Sequence, residues 1–375
     1  MTLPARPHDV LPSIESARVV LAIKNFSTVP GVCHIGLGVT ATNTMKVLRK
    51  NGVHAEAWSI DAAYGKGSEY RVLREKLSAD YKKVKVNPTY RPVTHVIVSA
   101  PSWIQPQQFY ELALLWTDIT FVQLNHSGCA YLSIDKYGIR NIRETSAISE
   151  MVHNVKVAAN NERVAHLFRS MCGIDPLYLP NLYDTGTFVP FTPQKLGNTL
   201  RVGSFGASRP WKNQLCAAEG AVMLAKALGV NLQLYVNSKR PDGGERMIES
   251  RAELFAHMPG AALHDVPWAS WPKFRDISAN MHLLIQPSFD ETFNVCTMDG
   301  IAEGVPSVAT SAIEWTPQSW WAEPEDPTSI MRVGIALLHA PAHAIGEART
   351  LAKRYTGQAL NRWLDFVTGK PQLSY

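Results

Sequence analysis

The stretch PSFDETFNVCTMDGIAEGVP, Pro287 to Pro306, decides how the rest of the chain is read. It follows the apolar run His282–Gln286, which reads as a buried strand delivering the chain to Pro287. Asp290 and Glu291 make a short acidic loop. A helix of small residues is expected from Asn294 to Gly304, where the glycine and the following Pro306 stop it. The first-turn amides of such a helix, at Asn294, Val295 and their neighbours, have no acceptor within the helix and point out of its positive end. That is a seat for an anion such as a phosphate. Seven residues lie between Glu291, ahead of the helix, and Asp299, inside it. A carboxylate at Asp299 can accept two hydrogen bonds from a ribose diol, and Glu291 can face a sugar hydroxyl.

The same strand-then-helix alternation continues outward in both directions and argues for parallel sheets with crossover helices. Upstream in the same half, strands are expected at Leu200–Phe205, Asn231–Asn237 and Ala262–Val266, with helices at Asn213–Leu228, Glu245–His257 and Trp271–Asn280. Pro180 to Asn198 has three prolines and little periodicity and reads as a linker. Before it, Cys33–Gly36 ends a strand-like stretch, and His54–Ile60, His95–Ala100, Ile119–Leu124, Val155–Ala159 and Leu177–Leu179 read as strands. Helices are expected at Thr40–Lys50, Pro106–Trp116 and Asn161–Met171. The expected organisation is an α/β chain of two Rossmann-like, doubly wound domains facing across a cleft. Residues 1–185 form the first, 186–345 the second, and 346–375 a C-terminal helix returning toward the first. In open parallel sheets ligands sit at the carboxyl ends of the strands, so the loops there are where chemistry is sought.

Two such loops stand out. Val202-Gly203-Ser204-Phe205-Gly206-Ala207-Ser208-Arg209-Pro210-Trp211-Lys212-Asn213 ends a strand in a glycine turn with two basic residues three apart, just before a helix. Gly206 lets backbone approach a ligand closely. Arg209 can fork onto phosphate oxygens, and Lys212 adds a point charge. In the first half, Phe121-Val122-Gln123-Leu124-Asn125-His126 delivers a histidine to the end of a strand. Gly36-Leu37-Gly38 reads as a glycine turn ahead of a helix.

Glu291 and Asp299, with Phe293 between them and Gly304-Val305-Pro306 after, resemble the signature of the retaining glycosyltransferases of family 4. The glycine turn with Arg209 and Lys212 resembles that family's diphosphate clamp. Two positions depart from its pattern: the second acid is Asp299 rather than glutamate, and Asn294 stands where glycine is usual. The resemblance implies the GT-B fold and transfer of a sugar from a UDP- or GDP-sugar to an acceptor hydroxyl with retained configuration. It implies catalytic roles for Glu291, Arg209, Lys212 and His126. It assigns donor contacts to Gly36, Gly38, Gly206, Phe293, Asn294, Val295 and Asp299. No Asp-x-Asp motif occurs, so no metal site and no cofactor beyond the donor substrate are expected. The family's common acceptors are glycan or lipid precursors. A hydroxyl on modified DNA is an alternative for this chain, as are a sugar-nucleotide 2-epimerase and a non-catalytic sugar-nucleotide-binding protein.

Composition bounds these readings. The chain has 375 residues, 46% hydrophobic and 18% charged, which suits two globular domains rather than a disordered chain. No apolar run reaches the length of a membrane span, and the N-terminus lacks the apolar region of a signal peptide. No transmembrane anchor is expected. The five cysteines (33, 129, 172, 216 and 296) include no Cys-x-x-Cys pair. They suit a reducing, cytoplasmic setting. Net charge is +5, and all the excess falls in residues 1–190, which hold 20 Lys and Arg against 15 Asp and Glu. Such a half either attracts an anionic partner, nucleic acid or a membrane-associated precursor, or is a mildly basic solvated surface. Tyr81-Lys82-Lys83-Val84-Lys85 concentrates that choice.

Overall fold

The computed structural model describes residues 13–24, 35–65, 67–87, 89–100 and 103–372. In the middle of each sheet, short runs of valine, isoleucine, leucine and alanine become strands buried on both faces, as parallel sheets covered by helices require, while most edge strands stay partly exposed. The chain divides into two compact units, Met1–Asp184 with Thr356–Tyr375, and Thr185–Tyr355.

The first unit holds β1 (Arg18–Lys24), β2 (His54–Ile60), β3 (His95–Ser99), β4 (Thr120–Asn125), β5 (Val155–Ala159) and β6 (Leu177–Tyr178). They form one sheet in the order β2-β1-β3-β4-β5-β6, with every neighbouring pair parallel. Six helices come from the same stretch of chain: α1 (Ile35–Lys50), α2 (Glu69–Val86), α3 (Pro106–Leu115), α4 (Cys129–Leu132), α5 (Gly138–Met151) and α6 (Glu162–Cys172). One core cluster joins Val20, Val96 and Phe121 of the sheet to Leu73 and Leu77 of α2 and to Phe109 and Leu112 of α3.

The second unit holds β7 (Thr199–Ser204), β8 (Asn231–Val236), β9 (Ala261–Asp265), β10 (Leu283–Ile285) and β11 (Ser307–Val308). Its helices are α7 (Gln214–Leu228), α8 (Glu245–Ala256), α9 (Trp271–Ala279), α10 (Val295–Glu303) and α11 (Pro327–His339). The sheet order is β11-β10-β7-β8-β9, again parallel throughout. The last helix, α12 (Pro341–Val367), is continuous across the division at Tyr355 and Thr356. Its second part belongs to the first unit, where the Trp363 indole donates to the Pro180 carbonyl at 2.8 Å.

Close packing at the centre of the second sheet depends on two glycines. A Cβ on Gly203 would strike the Phe205 ring and come within 2.8 Å of Leu284. A Cβ on Gly300 would come within 2.6 Å of Leu284. Both lie well inside van der Waals contact, so α10 rests directly on β10 because Gly300 has no side chain.

Several expectations are corrected. The first strand among the described residues is β1, Arg18–Lys24, where no strand was expected. Residues 33 and 34 lie outside the described residues, and residues 35 and 36 are helical. Gly36 and Gly38 are not a turn but part of α1, and neither has the positive φ that a glycine turn requires. The helices α2, α5 and α11 were not anticipated. In α2 the basic run at its end hid an inward stripe of Glu69, Leu73, Leu77 and Asp80 in which two of four positions are acids. Hydrophobic periodicity alone does not register such a stripe.

Candidate functional site

The second sheet changes direction of winding between β10 and β7, which are adjacent while β8 and β9 continue on the far side of β7. The crevice at the carboxyl ends of such a pair is where open α/β sheets bind ligands. Both loops singled out in the second half leave from this point. They are stitched together by the backbone, the Phe289 amide donating to the Trp211 carbonyl at 2.8 Å.

In the loop after β7, Gly206 takes a φ of +114°. Its amide donates to Asn237 Oδ1 at 3.3 Å. A 3-10 turn, Pro210–Lys212, then points Lys212 toward the loop after β10. Its ammonium donates to Glu291 Oε1 across 79 residues of sequence, and both side chains are largely buried. The same oxygen accepts from Ser288 Oγ at 2.8 Å and from Asn294 Nδ2 at 2.9 Å. Three donors on one oxygen fix the carboxylate rigidly. Arg209 is fixed differently. Its Nε and Nη2 reach Asp242 Oδ2 at 3.0 and 2.8 Å, and Arg240 approaches the same carboxylate at 3.2 Å. Burial alone would push the Asp242 carboxyl up. The Arg209 and Arg240 guanidiniums outweigh that effect and hold it below the usual range.

The departure at Asn294 has a physical reason. The residue has φ 63° and ψ 82°, the left-handed region in which glycine costs nothing and asparagine is the best-tolerated side chain. Asn294 also caps α10, its Oδ1 accepting from the Thr297 amide at 2.9 Å. One side chain therefore starts the helix and holds Glu291. Val295 and Cys296 follow as the first helical residues, both half-buried. Cys296 packs against the apolar cluster of Phe205, Leu284 and Val305, and burial pushes its thiol up to about 12. Phe293 is 4% exposed, its ring 5.4 Å from Trp315 and 5.7 Å from Tyr355, and its carbonyl accepts from the Trp315 indole. It supports the loop from beneath.

Asp299 sits elsewhere. It is 1% exposed, and its Oδ1 accepts from the Trp271 indole at 3.0 Å. That bond joins α10 to α9. Trp271, Ser288, Asn237 and Asp242 were not singled out from sequence. Of these only Asp242 had a local signal, the Pro241-Asp242-Gly243 turn dipeptides, and that signal reveals a turn rather than a partner for Arg209.

In the first unit, His126 follows β4 and is joined to residues after β5 and β6. Asn160 Nδ2 lies 3.2 Å from His126 Nδ1 and 3.3 Å from Asn181 Oδ1. With the amide donating to Nδ1, the ring proton sits on Nε2. Burial lowers the imidazole to about 4, so it is neutral at pH 7. Among the described residues no three His, Cys, Asp or Glu side chains converge in a way that would hold a metal ion. None of the described helices is long and apolar enough to cross a membrane.

No protein-family model matches the chain. No curated protein matches it either. Solved structures do. A glycosyltransferase from Rickettsia africae superimposes with a TM-score of 0.62 at 15% identity, covering 94% of this chain and 98% of that one. The catalytic domain of starch synthase IV from Arabidopsis thaliana, bound to ADP and acarbose, gives 0.62 at 11% identity, covering 94% and 100%. A variant of S. aureus TarM, in a complex that includes UDP, gives 0.53 at 13% identity. It covers 80% of this chain, which spans only 59% of that one. At these identities the likeness is one of fold. The chain has the GT-B architecture, two parallel α/β sheets in one polypeptide.

Proposed function

We propose that this chain is a retaining glycosyltransferase that moves a sugar from a nucleoside diphosphate sugar to an acceptor hydroxyl in the cytoplasm. The observation that carries the reading is the convergence at the β7–β10 crevice. There Lys212, Glu291 and the Asn294-capped start of α10 meet through direct hydrogen bonds. Breaking the bond between an anomeric carbon and a diphosphate releases negative charge. A fixed ammonium and a helix start are the groups that stabilise such charge without reorganising as it develops. Arg209, held by Asp242, adds a second cation on the same loop. On this reading Glu291 orients Lys212 and a sugar hydroxyl rather than attacking carbon. The neutral His126 offers an Nε2 proton to a hydroxyl in the first unit. Asp299 is given no contact with the donor on this reading, because it is buried and its Oδ1 is taken up by the Trp271 indole.

The fold of the neighbours supports the reading at the level of architecture, and the resemblance of the two loops supports the donor half of the reaction. The test is a mass-spectrometric screen of UDP- and GDP-sugars, with and without candidate acceptors, glycan and lipid precursors and hydroxylated DNA among them. Transfer to an acceptor is the expected outcome. Conversion of the donor alone to an epimer, or tight donor binding with no turnover, would replace the proposal by an isomerase or a binding protein. Activity is expected to survive EDTA unchanged. Loss with EDTA and recovery with manganese would show that the side chains do not carry the diphosphate charge unaided.

A further inference from the structure

The helix α2 carries eleven charged or tyrosine side chains in 18 residues, and the fold sorts the charges by sign. Its acids at positions 69 and 80 face inward and are buried, Glu69 at 2% and Asp80 at 6% exposure. Lys24 meets Glu69 at 2.5 Å. Asp80 is met by Arg18 at 2.7 Å and by the Tyr90 hydroxyl at 2.7 Å. Leu73 and Leu77, between them, join the core. All six basic residues, Arg71, Arg74, Lys76, Lys82, Lys83 and Lys85, are exposed. The one acid left on the exposed side, Glu75, is already bonded to Arg71 and to the Tyr64 hydroxyl.

Helical spacing aligns Arg71, Arg74, Lys82 and Lys85 along a single outward stripe about 21 Å long, with Lys76 and Lys83 to one side. The small exposed residues Ser78 and Ala79 lie midway. Four of the cations rest over tyrosine rings, Arg71 over Tyr64 at 4.0 Å, Lys85 over Tyr81 at 4.8 Å, and Arg74 over Tyr70 and Lys83 over Tyr90 at 5.8 Å each. Such contacts hold the charges extended along the surface.

We infer that this face of α2 is a docking surface for the phosphodiester backbone of duplex nucleic acid. A straight row of cations matches a partner whose charge is itself a regular row, about one negative charge per 1.7 Å of duplex axis. A lipid surface fits less well. A helix that lies on a membrane inserts an apolar face, and the apolar face of α2 is spent on the core. The only large hydrophobic side chain it exposes is Val86, at the helix end. The inference stands apart from the transferase reading, because binding needs neither donor nor turnover.

The test is fluorescence anisotropy of a short labelled DNA duplex with the full chain, titrated with salt. Four phosphate contacts along the stripe predict a slope of log affinity on log salt near −4, and a loss of about 100-fold in affinity between roughly 50 and 200 mM. The triple variant Arg74→Gln, Lys82→Gln, Lys85→Gln is expected to weaken binding at low salt by about 100-fold and to reduce the slope by about 3. Ser78→Glu, which leaves every cation in place and sets a carboxylate in the middle of the stripe, is expected to weaken it about tenfold. Folding of both variants is checked by thermal melting, and either one, if folded, decides the matter. No duplex binding at low salt, or variants that bind as well as the parent, would overturn the inference. So would capture by phosphatidylserine vesicles without capture of the duplex.

Discussion

The carboxyl edges of the two sheets are built on the same strand-and-helix plan and carry opposite kinds of chemistry. In the second unit the edge between β7 and β10 is ionic, with Lys212 on Glu291 and Arg209 on Asp242. In the first unit the residues after β4, β5 and β6 form a neutral chain, His126 to Asn160 to Asn181. Fixed cations suit a diphosphate, whereas neutral donors and acceptors suit hydroxyls. One architecture therefore supplies two environments. The side chains on its loops, not the fold, decide which half would hold a leaving group.

The largest expected break in this contrast is Lys212→Ala, which should lower transfer at least about 100-fold, near 3 kcal/mol of transition-state stabilisation. Because it strands a buried carboxylate, the variant should be made alone and together with Glu291→Gln, with melting temperatures recorded for both. A folded Lys212→Ala protein transferring at the parental rate would remove the ionic edge from catalysis.

The neutral edge is tested by acid. His126 has its folded value lowered to about 4 by burial, against about 6.5 when unfolded. Between those values the unfolded chain binds the extra proton, so stability is lost as pH falls from about 6.5 toward 4. At pH 5 the loss amounts to up to about 2 kcal/mol. Urea melts at pH 7 and 5 should show that His126→Gln reduces the difference between the two. An unchanged difference would mean that the imidazole is solvated. His95, also lowered to about 4, contributes equally to both proteins and cancels in this comparison.

A smaller effect distinguishes backbone from side chain at the ionic edge. Asn294→Ala loses the cap and must hold alanine at positive φ, and is expected to cost about 1–2 kcal/mol by thermal melting. Asn294→Gly keeps the backbone free to take that conformation and should cost less than about 1 kcal/mol. If glycine were the worse substitute, the left-handed geometry would not be the reason for asparagine there.

The second unit was the more legible half in sequence: β7, β8, β9 and β10 fall within a residue of the expected runs, and its two charged loops lie at the ends of strands. The first unit misled at its start. Val19 to Ile23 is bracketed by Arg18 and Lys24, while the glycines at 36 and 38 suggested a turn that the structure makes helical. Arg18 is 5% exposed because Glu56 and Asp80 neutralise it, a pairing across 38 and 62 residues. No local pattern announces that a charged residue begins a buried strand.

Sequence by itself determined the alternation of strand and helix, the positions of the two charged loops, and the expected start of α10. These follow from periodicity, turn chemistry and helix-end geometry, all of which act over a few residues. Only the tertiary structure decided which charge meets which. It set Lys212 on Glu291, turned Asp299 onto the Trp271 indole, and sent two acids of α2 inward while six cations stayed in water. The physical reason is that a charge is placed by the cost of burying it without a partner, and that partner lies wherever the fold brings it.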